Sequence, residues 1–164
     1  MTVTSLPLVM LWLLPSPDQA EQNVLTLIGA EKVITTWSLV QEGKRPTAIA
    51  LDESGHRLFV GTRDPGKLVV LDTESGKVVS SSPAAAMVDD MAYDGASKRI
   101  YFAGTLFIDV FQQRDADRYD RVGHVPTAFR AKTAILVPEL NRYYLAVPHH
   151  ENQVAEVRVY NVLP

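Results

Sequence analysis

The side chains able to do chemistry fall in four short stretches: Arg63 and Asp64; Asp89 and Asp90; Arg130 and Lys132; and His149, His150 and Glu151. Imidazole beside carboxylate is a ligand set for a divalent metal. In an extended strand adjacent side chains point to opposite faces, so His149 and His150 reach one ion only where the backbone bends. Solvated loop polarity is the plainer reading of that trio, with a ligand-binding or acid-base role beside it. Asp89 and Asp90 could supply oxygens to a hard cation, or a general base. No EF-hand-like loop surrounds them, so capping a strand or pairing with Arg or Lys competes with both roles. His56 and His124 fall at turn or strand-end positions and read as surface residues. Gly-x-Ser-x-Gly, the P-loop, the dinucleotide fingerprint and His-Glu-x-x-His are all missing, and no motif calls for a cofactor.

The elements that must position these residues recur. Ala50-Leu51-Asp52 with Arg57-Leu58-Phe59-Val60 returns as Ala92-Tyr93-Asp94 with Arg99-Ile100-Tyr101-Phe102, and more loosely as Leu136-Val137 with Arg142-Tyr143-Tyr144-Leu145. Arg57, Arg99 and Arg142 are spaced by 42 and then 43 residues. A period of roughly 40 to 50 residues holding four strand-like runs is that of propeller blades. The expected fold is therefore all-β, with blades of four antiparallel strands in an incomplete ring of about three to three and a half blades.

Short β-branched or alternating runs bounded by Gly, Pro, Asp and Ser place the strands, and no sustained 3.6-residue period argues for helix. One blade is expected near Thr47–Leu51, Arg57–Gly61, Leu68–Asp72 and Lys77–Ser80, and a second near Asp89–Tyr93, Arg99–Ala103, Leu106–Phe111 and Tyr119–Gly123. A third offers Thr133–Val137, Arg142–Val147 and Val154–Asn161 and lacks an outer strand. Val24–Ile28 and Val33–Trp37 read as the last two strands of a partial first blade. Asp52 and Asp94 recur before turns, where a carboxylate accepts backbone hydrogen bonds. Phe59, Tyr101, Tyr143 and Tyr144 read as packing aromatics, because no basic groove accompanies them.

Composition sets outer limits. The 164 residues are 46% hydrophobic and 21% charged, ordinary for a globular protein. A net charge of −3 argues against phosphate-backbone binding, so nucleic acid is not an expected partner. Zero cysteines remove disulfides, thiolate metal sites and thiol nucleophiles. At the N-terminus the apolar run Leu6–Leu14, interrupted by Pro7, is too short for a membrane span of about 20 residues. It lacks the preceding Lys or Arg of a secretory signal. Residues 1–23 are accordingly read as a hydrophobic and polar extension, with residues 15–23 a polar linker, and residues 24–164 as the repeat domain.

Leu58-Phe59-Val60-Gly61-Thr62 followed by Leu68-Val69-Val70-Leu71-Asp72-Thr73-Glu74-Ser75-Gly76-Lys77-Val78-Val79 resembles the YVTN-repeat, YncE-like family of β-propellers. Phe59-Val60-Gly61-Thr62 stands for the Tyr-Val-Thr-Asn element, and Tyr101–Gly104 and Tyr144–Val147 are more divergent copies. The resemblance spans about residues 24–162 and is specific for the repeat, much less so for activity. It implies a propeller whose relatives commonly form seven-bladed rings, are often exported to the periplasm or outside the cell, and include many members without assigned activity. The chain would correspond to the C-terminal portion, in a truncated form, and a cytoplasmic location follows if residues 1–23 are no signal.

Blades bury their faces only against other blades, so an open ring exposes apolar faces and unpaired edges. Self-association or a partner chain is therefore expected over the open blade edges. In propellers the strand-two-to-three loops and the blade-to-blade connections share one face, and all nine candidate residues collect there. The first functional reading is a non-enzymatic binding or scaffold propeller holding a small molecule, peptide or partner on that face. The alternative is a lactonase-type hydrolase using channel-face carboxylates or a metal, which needs three convergent ligands or an acid-base pair in one mouth.

Overall fold

The computed structural model describes residues 33–163. Eleven strands are found among them: β1 (Lys44–Asp52), β2 (Arg57–Asp64), β3 (Gly66–Asp72), β4 (Val78–Pro83), β5 (Asp90–Asp94), β6 (Arg99–Gly104), β7 (Phe107–Gln113), β8 (Tyr119–Pro126), β9 (Thr133–Val137), β10 (Arg142–Val147) and β11 (Glu156–Asn161). They pair antiparallel in chain order as β1-β2-β3-β4, β5-β6-β7-β8 and β9-β10-β11. The fold is all-β, an open set of propeller-type blades in a 4-4-3 pattern. The third blade has three strands among the described residues, and β11 is its outer edge.

The middle strands explain why the blades stack. Leu68, Val69, Val70 and Leu71 of β3 are all buried, since both faces of an inner strand are covered. The first interface packs Phe59, Leu68 and Val70 of the first sheet against Ile100, Phe102, Phe111 and Tyr119 of the second. The second packs Tyr101 and Ile108 against Tyr143, Leu145 and Val147. Each interface uses the side chain two residues after the repeated arginine on one sheet, Phe59 or Tyr101, and the side chain one residue after it on the next sheet, Ile100 or Tyr143.

The arginines themselves tie blade to blade. Arg57 donates through Nη1 to Asp72 on β3 (3.0 Å), and through Nη2 to Asp117 (2.7 Å) and Nε to Ala116 O (3.0 Å) in the β7–β8 turn of the next blade. Arg99 does the same through Gln112 Oε1 (3.0 Å) on β7 and Leu163 O (2.5 Å) beyond β11. The residue before each arginine, His56, Lys98 or Asn141, is left-handed, so the three tight turns share one backbone solution. Asp52 accepts from the Gly55 N–H (3.0 Å) and Asp94 from the Ala96 N–H (3.0 Å) in the first two of these turns.

Val33–Trp37, expected as a strand, is not one. This stretch runs without a sheet partner into a turn in which the Glu42 and Gly43 N–H groups donate to Leu39 O (2.9 and 3.1 Å). Leu39 is buried against Val60, Val69 and Leu71, with Trp37 packed beside it, so the segment caps the outer face of the first sheet where a preceding blade would lie. The Glu42 carboxylate latches it, accepting from Ser81 Oγ (2.6 Å) and Lys67 Nζ (3.2 Å). The physical reason is that this apolar run finds a finished sheet to cover and no partner edge. Val24–Ile28 and the apolar run Leu6–Leu14 lie outside the described residues. Among those described, no helix is long and apolar enough to cross a membrane.

Gly76 shows how tightly the cap sits. Its φ is +70°, and a Cβ there would come within 2.2 Å of the Trp37 ring. We predict that Gly76→Ala destabilises the chain by about 1–2 kcal/mol from left-handed strain alone, with more from displacing Trp37. Urea unfolding followed by tryptophan emission checks this: a lower midpoint with red-shifted native emission is expected, and an unchanged midpoint counts against the packing described.

Two buried or latched carboxylates set the acid limit. Burial pushes the Asp52 carboxyl up, but hydrogen bonds from Ser54, Gln113 and the Gly55 N–H together outweigh it and hold Asp52 below its ordinary value. The Ser81 hydroxyl holds Glu42 low against the opposing effect of its burial, with Lys67 adding to the lowering. A depressed carboxyl contributes stability that is present above its unfolded pKa, about 3.9 for Asp and 4.3 for Glu, and is lost as pH falls through the folded value. Stability is therefore expected to drop as pH falls below that range. Asp52→Asn should flatten that part of the curve in denaturation midpoints taken from pH 6 to 2, whereas an unchanged slope would contradict the assignment.

Candidate functional site

The connections β2–β3, β4–β5, β6–β7, β8–β9 and β10–β11 lie on one face of the blade stack, and the candidates lie in or beside them: Arg63 and Asp64 end β2, Asp90 begins β5, and the other six sit in the β4–β5, β8–β9 and β10–β11 connections. Three of them meet. The Asp89 carboxylate takes Arg63 Nη2 on one oxygen and Lys132 Nζ on the other (2.8 Å), so one anion bridges two cations from the first blade and from the β8–β9 connection. Arg63 is also held through Nε–H to Val88 O (3.1 Å), which accepts Thr47 Oγ1–H (2.7 Å) from β1. Burial lowers the Lys132 pKa, and the neighbouring Arg63 and Arg130 lower it further, which marks a site where positive charge is crowded.

The remaining candidates separate. Asp90 accepts the Ala134 N–H (2.9 Å) and so links the second blade to β9. The Arg130 guanidinium lies over the Phe129 ring, 5.3 Å from its centroid, and the His150 ring packs 4.5 Å from the same phenyl. Gln153 fixes this corner by accepting from the Phe129 N–H (3.1 Å) and donating to Phe129 O (3.0 Å) and Pro148 O (2.7 Å). Asp64, His149 and Glu151 are exposed. Among the described residues no three His, Cys, Asp or Glu side chains gather in a metal-binding cluster. The arrangement is thus a cation-rich shelf, Arg63, Lys132 and Arg130, with one shared carboxylate and an aromatic at its rim. It suits an anionic group better than it suits proton abstraction.

Sequence reasoning missed the most buried carboxylate nearby. Asp109 of β7 has a fully buried side chain, accepts the Ala85 N–H (2.7 Å), and contacts His124 Nδ1 at 2.5 Å. His124, read as a surface residue, is half-exposed, with its ring stacked 4.0 Å from that of Phe107. The signal was present: a charged residue inside the apolar run Phe107-Ile108-Asp109-Val110-Phe111. Through Ala85, Asp109 holds the β4–β5 connection that presents Asp89.

No family model matches the chain, and no curated protein matches it in sequence. Its fold is similar to solved structures. Hydrazine synthase of Kuenenia stuttgartiensis aligns with a TM-score of 0.69 at 15% identity, over 80% of this chain and 37% of that one. A chain of the mitotic checkpoint complex aligns with a TM-score of 0.59 at 14% identity, over 67% and 35%. A eukaryotic initiation factor structure gives 0.58 at 16%, over 78% and 32%. The chain spans about a third of the length of these neighbours, and what they share with it is β-propeller architecture.

Proposed function

We propose that this chain is a non-enzymatic binding module of YVTN-repeat type, residues 24–164 forming its repeat domain, whose loop face holds a carboxylate- or phosphate-bearing small molecule or peptide. The observation that carries it is the pairing of Arg63 and Lys132 on one carboxylate, both oxygens of Asp89 engaged, with Arg130 adding to the positive field at Lys132. A base occupied by two cations is poorly placed to take a proton, which weighs against the lactonase-type reading. Calorimetric titration with succinate and with inorganic phosphate tests the proposal. Binding that weakens at least tenfold in Arg130→Ala and as salt is raised supports it. Failure of both anions to bind overturns it, as does turnover of γ-butyrolactone that disappears in Asp89→Asn.

The partner is part of this reading. Ile135, Val157 and Val159, 61%, 64% and 55% exposed, lie with Tyr144 on the outer face of the third sheet, while Trp37 and Leu39 cap the opposite end of the stack. One open end and one capped end stop association at two copies, so the occupant inferred is a second copy related by a two-fold axis. Light scattering across concentrations should show a dimer that Val157→Lys dissociates. A monomer at every concentration refutes this.

A further inference from the structure

A cavity of about 370 Å³ opens between the second and third sheets. Its walls are Tyr101 and Val110 of the second sheet, Val122 on β8, and Tyr143, Tyr160 and Val162 of the third. The equivalent wedge between the first and second sheets is filled. There Tyr119, on the outer strand β8 of the second blade, packs edge-on to Phe59 with ring centroids 5.6 Å apart. Phe59 and Tyr101 hold the same place in the repeat, two residues after Arg57 and Arg99. Tyr101 therefore faces the wedge as Phe59 does, with Tyr143 beside it (centroids 5.6 Å) and, among the described residues, no outer strand supplying a third ring. Its hydroxyl is buried and has no hydrogen-bond partner among the described residues. A buried, unpaired hydroxyl is destabilising unless something that accepts from it arrives.

The arginines extend the comparison. Arg57 grips Asp117, two residues before Tyr119, through Nε and Nη2. Arg99, at the rim of the cavity, uses Nε on Gln112 and Nη1 on Leu163 O. A carboxylate placed like Asp117 would meet the outer side of its fork. Beside it, among the described residues, β11 is paired only with β10, so its other edge is an open ladder there.

We infer that this groove is a peptide-binding site, filled by an extended segment of another protein that adds as the outer strand on β11. The segment carries an acidic residue, any residue, then an aromatic, as Asp117-Arg118-Tyr119 does in the second blade. Main-chain pairing along β11 gives the affinity, the aromatic fills the cavity over Tyr101, the acid meets Arg99, and an acceptor on the strand relieves the Tyr101 hydroxyl. The first 32 residues of the chain contain no acidic-x-aromatic sequence, their sole aromatic being Trp12 after Met10 and Leu11, which favours a partner's peptide over that stretch. This inference is independent of the loop face, which lies at a different place on the blades.

The test uses a fluorescein-labelled synthetic peptide with the sequence of residues 115–126, Asp-Ala-Asp-Arg-Tyr-Asp-Arg-Val-Gly-His-Val-Pro, which holds the acidic-x-aromatic element, against the intact chain. Anisotropy should show saturable binding. Replacing the peptide's tyrosine by alanine should weaken it at least tenfold, and replacing the acid two residues before it severalfold. In the protein, Val162→Glu should abolish binding and Tyr101→Phe should change it while leaving the fold intact. Amide exchange should slow along β11 on binding. No saturation at millimolar protein, indifference to the peptide's tyrosine, or protection confined to the loop face overturns the inference. Because the decisive variants are in the peptide, a misfolded protein variant cannot mimic any of these results.

Discussion

Asp109→Ala is expected to lower the stability of this chain by about 3 kcal/mol, within the range for breaking a buried ionic contact by removing one partner. The side chain is fully buried, and its two oxygens take the Ala85 N–H and His124 Nδ1, with Arg121 Nη1 at 3.8 Å. Truncation leaves that buried N–H without an acceptor and opens a hole on the face of β7 that Phe107 and Phe111 share. It also removes the Ala85 tether of the β4–β5 connection, which loosens the placement of Asp89 against Arg63 and Lys132. Chemical denaturation gives the stability, and the anion titration gives the second consequence. Asp109→Asn keeps an acceptor oxygen for one contact and should lose roughly half as much. If alanine and asparagine are both neutral, Asp109 does not hold the connection.

Phe59→Ala should be the most damaging apolar truncation, about 4 kcal/mol, in the range for burying a cavity where a phenyl stood. Phe59 is fully buried and touches the Tyr93 ring at 5.0 Å and the Tyr119 ring at 5.6 Å, so its loss unseats one aromatic from each edge strand of the second blade. The wedge between the first two sheets would then resemble the one already open between the second and third. Tyr101→Ala, at the matching repeat position, should be clearly milder, because a cavity already borders its ring. Thermal and urea midpoints of the two variants, measured side by side, decide the point. Equal losses would mean that the missing outer strand leaves no energetic trace.

The blades were legible from residue types because the repeat imposes local patterns. Arg57, Arg99 and Arg142 mark the second strand of each sheet, and the runs after them alternate or stay apolar according to whether one or both faces are covered. Expected and observed strands agree to within a few residues from β1 to β11. Val33–Trp37 shows the limit of such reading. An apolar run has the same composition whether it pairs at an edge or lies across a finished face, and only the presence of the first sheet beneath Leu39 decides between them.

The nine candidate residues, six in loops and Arg63, Asp64 and Asp90 at strand ends, were gathered on one face by topology alone, since alternate connections of a blade share an end. Which of them touch was beyond the sequence. Asp89 reaches Arg63 and Lys132 across 26 and 43 residues of chain, whereas Asp90, its neighbour, turns to the Ala134 amide because successive side chains at a strand start point apart. The sequence by itself determined the period, the strands and the polar face. The tertiary structure decided the ion bridge, the buried Asp109 and the empty wedge beside Tyr101, because each depends on distances between blades that no local pattern encodes.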